Sequence, residues 1–193
     1  MLDYIKGDIA EITPTHMVIE QNGMGYDINI SLFSYSQLQN LTQCKLYLHQ
    51  VIREDAHLLF GFSTLEERRM FRLLISVSGV GANTARMILS SMSSEEVQQA
   101  IAESDVILLQ SVKGIGAKTA QRIIVDLKDK VIKSGDSTQI FKLGDNTKKK
   151  EALSALEILG FTRKQSEKVV DKLLLKSTDL PVEDIIKQAL KLL

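Results

Sequence analysis

A ten-residue segment occurs twice in this chain, and the repeat decides what the middle of the chain can become. Ser76-Val77-Ser78-Gly79-Val80-Gly81-Ala82-Asn83-Thr84-Ala85 returns thirty-five residues later as Ser111-Val112-Lys113-Gly114-Ile115-Gly116-Ala117-Lys118-Thr119-Ala120. In each copy an apolar stretch of helical period runs into Gly-x-Gly and emerges into another helix. Glycine lacks a Cβ, so it adopts positive φ and lets a second backbone come close. Two glycines around one aliphatic residue predict a very tight turn. The helix leaving that turn begins with free amide N–H groups and the positive end of its dipole, which favour an anion. Two such turns at fixed spacing point to two phosphates of one nucleic-acid backbone.

The commoner glycine-rich readings fail on spacing. A dinucleotide fingerprint needs Gly-x-Gly-x-x-Gly behind a strand; the sixth position here is Thr84 or Thr119. What precedes each turn, Phe71-Arg72-Leu73-Leu74-Ile75 and Val106-Ile107-Leu108-Leu109, has helical period instead. A P-loop needs Gly-Lys-Thr contiguous behind an earlier glycine, but Ala117 separates Gly116 from Lys118 and position 111 is serine. A plainer reading makes each Gly-x-Gly a mere joint between packed helices. Duplication argues against it, as do Lys118 and Arg122 beside the second copy.

Charge is placed unevenly although it sums to zero. Residues 1–63 carry 3 basic and 7 acidic side chains, residues 64–133 carry 10 and 8, and residues 134–193 carry 11 and 9. The hairpin region is mildly basic, so binding would rest on a few placed contacts rather than on a broad positive field. The lone Cys44 excludes an internal disulfide and a multi-cysteine metal site. His16, His49 and His57 lack ligand spacing, so no metal site is expected. No apolar run approaches a bilayer span and Met1-Leu2-Asp3-Tyr4 does not open a signal peptide, so the expected location is cytoplasmic, away from membranes.

Organisation follows the change of period along the chain. Tyr4–Ile12, Met17–Glu20, Tyr26–Ile30, Lys45–Ile52 and His57–Phe62 read as five strands, with Pro14 and Asn22-Gly23 as turns. A short helical piece is expected from Ser34 to Leu41. Five strands with a helix in that place predict a small Greek-key barrel of the OB type. Helices are expected near 65–77, 82–91, 94–102, 105–111 and 117–132. Thr64-Leu65-Glu66-Glu67 and Ser93-Ser94-Glu95-Glu96 have the form of capping boxes. Polar residues 134–147 read as a flexible linker. Glu151–Leu159, Arg163–Lys176 and Val182–Leu192 form a final three-helix unit, with Thr162 and Gln165 as a cap and Pro181 at a helix start. Leu153, Leu156, Ile158, Leu159, Val169, Val170, Leu173 and Leu174 supply its apolar spacing.

Barrel, tandem hairpins, linker and three-helix module, in this order, resemble the RuvA family, the Holliday-junction-binding subunits of bacterial branch-migration complexes. The resemblance covers the whole chain. It is carried by Gly-Val-Gly and Gly-Ile-Gly, by Gly160-Phe161 in the last module, and by Val51-Ile52-Arg53-Glu54-Asp55-Ala56-His57-Leu58-Leu59-Phe60-Gly61-Phe62, which is similar to the family's acidic-pin hairpin. It implies an α+β multidomain chain: an OB-type β-barrel with its pin over 1–63, a tandem helix-hairpin-helix domain over 64–133, a flexible linker over 134–147, and a UBA-like three-helix motor-docking domain over 148–193.

The resemblance further implies a four-fold symmetric homotetramer, alone or paired into an octamer, holding four-way junction DNA open and flat. Each arm would be gripped through minor-groove-side phosphates by one subunit's two hairpins. By matched position the contacts are backbone amides around Gly79, Gly81, Gly114 and Gly116, with Thr84, Ala117 and Thr119 in the same turns and Lys118 and Arg122 as charged partners. Asn83 departs from a common family pattern that has lysine there, and Arg86, one helical turn on, is expected to compensate. Glu54 and Asp55, which taken alone are a solvated turn tip, would gather at the junction centre and repel phosphates.

An apolar face of the last module, including Leu159 and Phe161, would dock the hexameric AAA+ ATPase RuvB, and the junction resolvase RuvC is a further implied partner. This chain has no Walker motif, so it is expected to be no enzyme itself. No cofactor is implied beyond a monovalent cation that a hairpin could hold. Three alternatives compete. A helix-hairpin-helix DNA glycosylase would fit Val112–Ala120, but it needs a catalytic Asp in a packed pocket. Asp136 falls in the linker, and Asp126 comes too early. A junction nuclease needs clustered carboxylates around a divalent metal, and Glu54-Asp55 is too sparse. A general duplex-binding repair adaptor differs only in its preference for DNA structure.

Overall fold

The computed structural model describes residues 2–135, 144–176 and 180–193, and it divides into two compact units, Met1–Gly135 and Asp136–Leu193. The first unit opens with β1 (Tyr4–Ile12), β2 (His16–Gln21), β3 (Met24–Ile30), α1 (Leu32–Leu38), β4 (Gln43–Ile52) and β5 (His57–Phe62). The strands close into a barrel in the order β1-β2-β3-β5-β4. All pairings are antiparallel except β3 with β5, where Asn29 faces Phe60. Alternation explains the closure. Met17, Ile19, Ile28, Ile30, Leu46 and Leu48 all point inward and are buried, so every strand has one apolar face to hide. Asn22 and Gly23, both at positive φ, form the two-residue turn between β2 and β3. Cys44 is buried in this barrel, and burial pushes its thiol pKa up to about 11.

α1 differs from expectation at both ends, starting at Leu32 and stopping at Leu38 rather than spanning Ser34 to Leu41. Ser31 is the reason: its extended backbone and its side chain, which accepts from Ser34 N–H, set the helix start earlier.

Five helices follow: α2 (Leu65–Ile75), α3 (Ala82–Ser91), α4 (Ser94–Glu103), α5 (Val106–Gln110) and α6 (Ala117–Gly135). Ser93 and Glu96 form the expected capping box on α4. The box expected at Thr64 is half right. Thr64 accepts from Glu67 N–H, but the Glu67 carboxylate turns inward to the hydroxyls of Ser31 and Ser34 instead of returning to Thr64. Burial pushes the Glu67 pKa up, and the hydrogen bonds from Ser31, Ser34 and Ser63 offset part of that cost.

Barrel and helices share one core. Phe60 and Phe62 of β5 pack on Phe71 of α2, with ring centroids 5.2 and 4.8 Å apart. The same cluster runs through Leu74, Ala85, Ile88, Val97, Ile101, Ala120, Ile123 and Leu127 of the helices. His49 also lies against Phe71, at 5.4 Å. Burial first, then Arg72 and Arg68, push its pKa down, so it packs as a neutral ring.

The second unit holds α7 (Gly144–Ile158), α8 (Arg163–Lys176) and α9 (Val182–Leu190) around Ala152, Leu153, Leu156, Val170, Leu173, Ile185 and Ala189. α7 begins seven residues before the expected Glu151. The expected linker 134–147 therefore overlaps the end of α6 and the start of α7, and its middle, 136–143, lies outside the described residues. Lysine and glutamate over 148–151 are good helix formers, and the helix extends back from them across the poorer formers Asp145, Asn146 and Thr147 to Gly144. α7 ends in a Schellman motif: Gly160 at φ +98 lets Phe161 N–H reach Leu156 O at 3.1 Å and Gly160 N–H reach Glu157 O at 3.1 Å. Thr162 meets Gln165 side chain to side chain at 2.6 Å, and Pro181 takes the N-cap of α9.

Candidate nucleic-acid interface

The two repeats fold into two nearly identical turns. Gly79 and Gly114 both sit at φ +92, and no Cβ clash accompanies either, so the backbone conformation alone demands glycine there. Val80 N–H donates to Val77 O and Ile115 N–H to Val112 O, each at 3.0 Å. Both aliphatic residues of each turn, Val77 and Val80, Val112 and Ile115, are buried in the shared core. Even the serine hydroxyls match: Ser76 Oγ donates to Leu73 O and Ser111 Oγ to Leu108 O, each at 2.7 Å. Each turn is nailed down from inside by its aliphatic residues and presents its glycines outward.

The second glycine of each pair has a different reason. Gly81 is the N-cap of α3 at φ −82 and ψ 168, a conformation open to any residue, and no side chain caps the helix. A Cβ at Gly81 or Gly116 would meet nothing within 4 Å. Neither strain nor packing within the fold requires glycine at these positions. What the missing Cβ leaves is a clear approach to the first amides of α3 and α6, the positions where a helix offers unpaired N–H groups and a favourable dipole to an anion.

The two turns meet at one cleft. Ser78 and Gly79 of the first hairpin, with Lys118, Thr119, Gln121 and Arg122 of the second, line a cleft of about 340 Å³. Arg122 Nη1 donates to Ser78 O at 3.3 Å, tying the second hairpin's helix to the first hairpin's turn. Lys118 and Arg122 are exposed, and Thr84 and Thr119 are half-buried at matching places. Asn83 is exposed at the place corresponding to Lys118.

Arg86, the residue expected to compensate for Asn83, reaches the barrel. Its Nη1 donates to Thr15 O at 2.7 Å and lies 3.4 Å from Asn29 Oδ1, both in the barrel, and burial lowers its pKa. One nitrogen of the guanidinium is thus engaged with the barrel seam. Ser78 and Gln121 of the cleft went unread in the sequence. Ser78 faces Lys113 in the repeat, so the alignment of the two copies was the available signal.

Glu54 and Asp55 stand at the tip of the β4–β5 hairpin, beyond the Ile52–His57 pair, where Arg53 N–H closes the loop on Ala56 O at 2.8 Å. Both are exposed, and nothing described pairs with them. In the second unit Leu159 is exposed at 56% and Ile158 at 85%, whereas Phe161 is partly buried against the module's core. Val169 and Leu174 also pack partly on that core. Asp136, the candidate base of the glycosylase reading, lies outside the described residues. Among the described residues no cluster of three or more His, Cys, Asp or Glu could hold a metal ion, and no helix is long and apolar enough to cross a membrane.

A closed five-stranded barrel joined to two matched Gly-x-Gly hairpins with a cationic cleft between them defines a class of protein, the tandem helix-hairpin-helix binders of nucleic-acid backbone. Residues 1–61 match the RuvA N terminal domain, residues 71–129 the SAM-like helix-hairpin-helix tandem, and residues 148–193 the RuvA C-terminal domain. The chain is 54% identical over 191 residues to the Holliday junction branch migration complex subunit RuvA of Christiangramia forsetii, and 52% identical over 191 residues to that of Flavobacterium psychrophilum. It is 48% identical over 199 residues to that of Bacteroides fragilis, and each of these pairings covers 99% of both chains. The chain belongs to the RuvA family.

The two glycines of one turn should separate in unfolding measurements. Gly79→Ala forces an L-residue into the left-handed region and should cost about 1–2 kcal/mol. Gly81→Ala should stay within about 0.5 kcal/mol of the unaltered protein. Equal costs in denaturant titration would place both glycines in the service of the fold.

Proposed function

We propose that the chain is the non-catalytic, junction-binding subunit of a Holliday junction branch migration complex. The cleft that brings Gly79 of one hairpin beside Lys118 and Arg122 of the other carries this reading. A sugar-phosphate strand crossing it would lay one phosphate on the amides from Gly81 to Thr84 and another on those from Gly116 to Thr119. Ala82 turns into the core and the exposed Ala117 is short, so neither side chain covers those amides. Lys118 adds a charge that moves with the strand, and Arg122 both lines the cleft and braces it. These contacts touch backbone and not base edges, so they carry no sequence preference.

Recognition of a branched structure then comes from assembly. Four copies arranged around a four-fold axis, singly or as two facing tetramers, would hold the four arms, and their Glu54–Asp55 tips would meet near the crossover. Like charge facing phosphate disfavours strands that cross the centre directly and favours strands that part into separate arms. The exposed Leu159, with Phe161 beside it, supports docking of the AAA+ motor RuvB on the second unit; the junction resolvase RuvC is a further partner. Energy for migration comes from that motor, in the cytoplasm. The glycosylase alternative gains no support from the family to which the chain belongs.

Salt titrations of binding to a synthetic four-way junction test both halves of this reading. Lys118→Ala should weaken binding and flatten the log–log salt slope by about 0.9 for each phosphate it no longer neutralises. Glu54→Gln with Asp55→Asn should preserve or strengthen binding while altering migration driven by the motor. An unchanged slope would take Lys118 off the DNA, and a marked loss on neutralising the tip would make those carboxylates attractive ligands.

Deleting residues 148–193 should spare junction binding and abolish stimulation of the motor's ATPase, read by phosphate release. A truncated protein that still stimulated it would end the docking assignment.

A further inference from the structure

The helices that flank the first Gly-x-Gly turn are each tied to the barrel by a polar contact that the DNA-binding surface does not use. At the start of α2, the buried Glu67 carboxylate accepts from Ser31 Oγ and, at 2.6 Å, from Ser34 Oγ. Ser34 Oγ in turn accepts from Ser63 N–H at 2.8 Å, so one carboxylate gathers the cap of α1 and the end of β5. On α3, Arg86 Nη1 donates to Thr15 O at 2.7 Å and approaches Asn29 Oδ1, while Asn29 Nδ2 donates to Leu59 O at 3.2 Å. Leu32 N–H adds a third tie, donating to Ser90 Oγ of α3 at 3.1 Å.

We propose that Glu67 and Arg86 are positioning residues that fix the first hairpin at one angle to the barrel, and that this angle selects branched over linear DNA. The inference rests on the junction-binding reading above. Apolar contact between Phe60, Phe62 and Phe71 holds the two halves together but is non-directional, so it tolerates rotation. Hydrogen bonds to charged groups do not, because they are short and angle-dependent. α2 is 11 residues long, about 16 Å at 1.5 Å per residue, so a rotation of about 10° at its start moves the turn by about 3 Å, a full hydrogen-bond length. Linear duplex needs only the hairpins and can follow such a shift. A junction must bring its four arms at once onto hairpins set at one angle around a common centre, and the barrel, whose Glu54–Asp55 tip keeps strands out of that centre, sets the angle. Freedom at the seam therefore costs junction affinity selectively.

The test compares affinities for a four-way junction and for linear duplex of the same arm sequence. Arg86→Ala and Glu67→Gln should hold duplex affinity within about twofold and lose about tenfold of the junction preference. Arg86→Lys, which can still donate to Thr15 O, should restore part of it. In parallel, nitroxides at Glu54→Cys and Ser78→Cys on a Cys44→Ala background should give a narrow distance distribution that Arg86→Ala broadens without DNA. Should Glu67→Gln not fold, Arg86→Ala at its half-buried position decides alone. Equal loss on both substrates would make Arg86 a phosphate ligand and overturn the proposal, as would an unchanged preference or an unbroadened distance. An unaltered protein with no junction preference would instead defeat the junction reading, while the distance measurement would still report on the seam.

Discussion

Everything the hairpins do depends on one arrangement: a glycine at φ +92 standing between two buried aliphatic residues. The aliphatic residues anchor the turn in the core, and the left-handed glycine reverses the chain fast enough for the next helix to start at the surface. The amides of that helix then point where no intrahelical carbonyl can reach them. Had either aliphatic position been polar, the turn would lose its anchor; had the glycine carried a Cβ, the reversal would be strained. Packing and presentation are thus one constraint, met twice in the same chain with the same geometry.

That constraint reaches the barrel through β5. Phe60 and Phe62 face away from the barrel's own interior cluster and into the helical one, so the strand that closes the barrel also builds the hairpin core. A consequence is that the acidic tip, at the head of the β4–β5 hairpin, and the first Gly-x-Gly turn hang on the same strand and its neighbour α2. On the proposed reading, the attraction and the repulsion toward DNA are therefore set by one shared core, which suits a protein that reads the shape of a branch rather than its sequence.

Much of this was legible in the amino-acid order. Period-two alternation located the first three strands, each with one face turned to the barrel interior, and the Asn22-Gly23 pair located its hairpin because only a mirror-image turn fits there. The repeat located both hairpins for the same kind of local reason. What the sequence did not disclose was long-range. Glu67 has the spacing of a capping residue and takes a buried partner from a segment 36 residues away in Ser31. Arg86 has the look of a phosphate ligand and bonds a carbonyl 71 residues back. Local patterns report helix ends well and report poorly on which of two partners a charged side chain meets after folding. The division of labour within Gly-x-Gly was hidden too, since φ at Gly79 and open space at Gly81 leave the same letter in the sequence.

The central claim is that the amides opening α3 and α6 receive phosphates. Backbone amide resonances of 15N-labelled protein, followed as a four-way junction is added, examine it most directly. The account expects the largest downfield shifts at Gly81 to Thr84 and at Gly116 to Thr119, equal in the two hairpins and reversed by salt. Binding that left both sets of amides unmoved would contradict it.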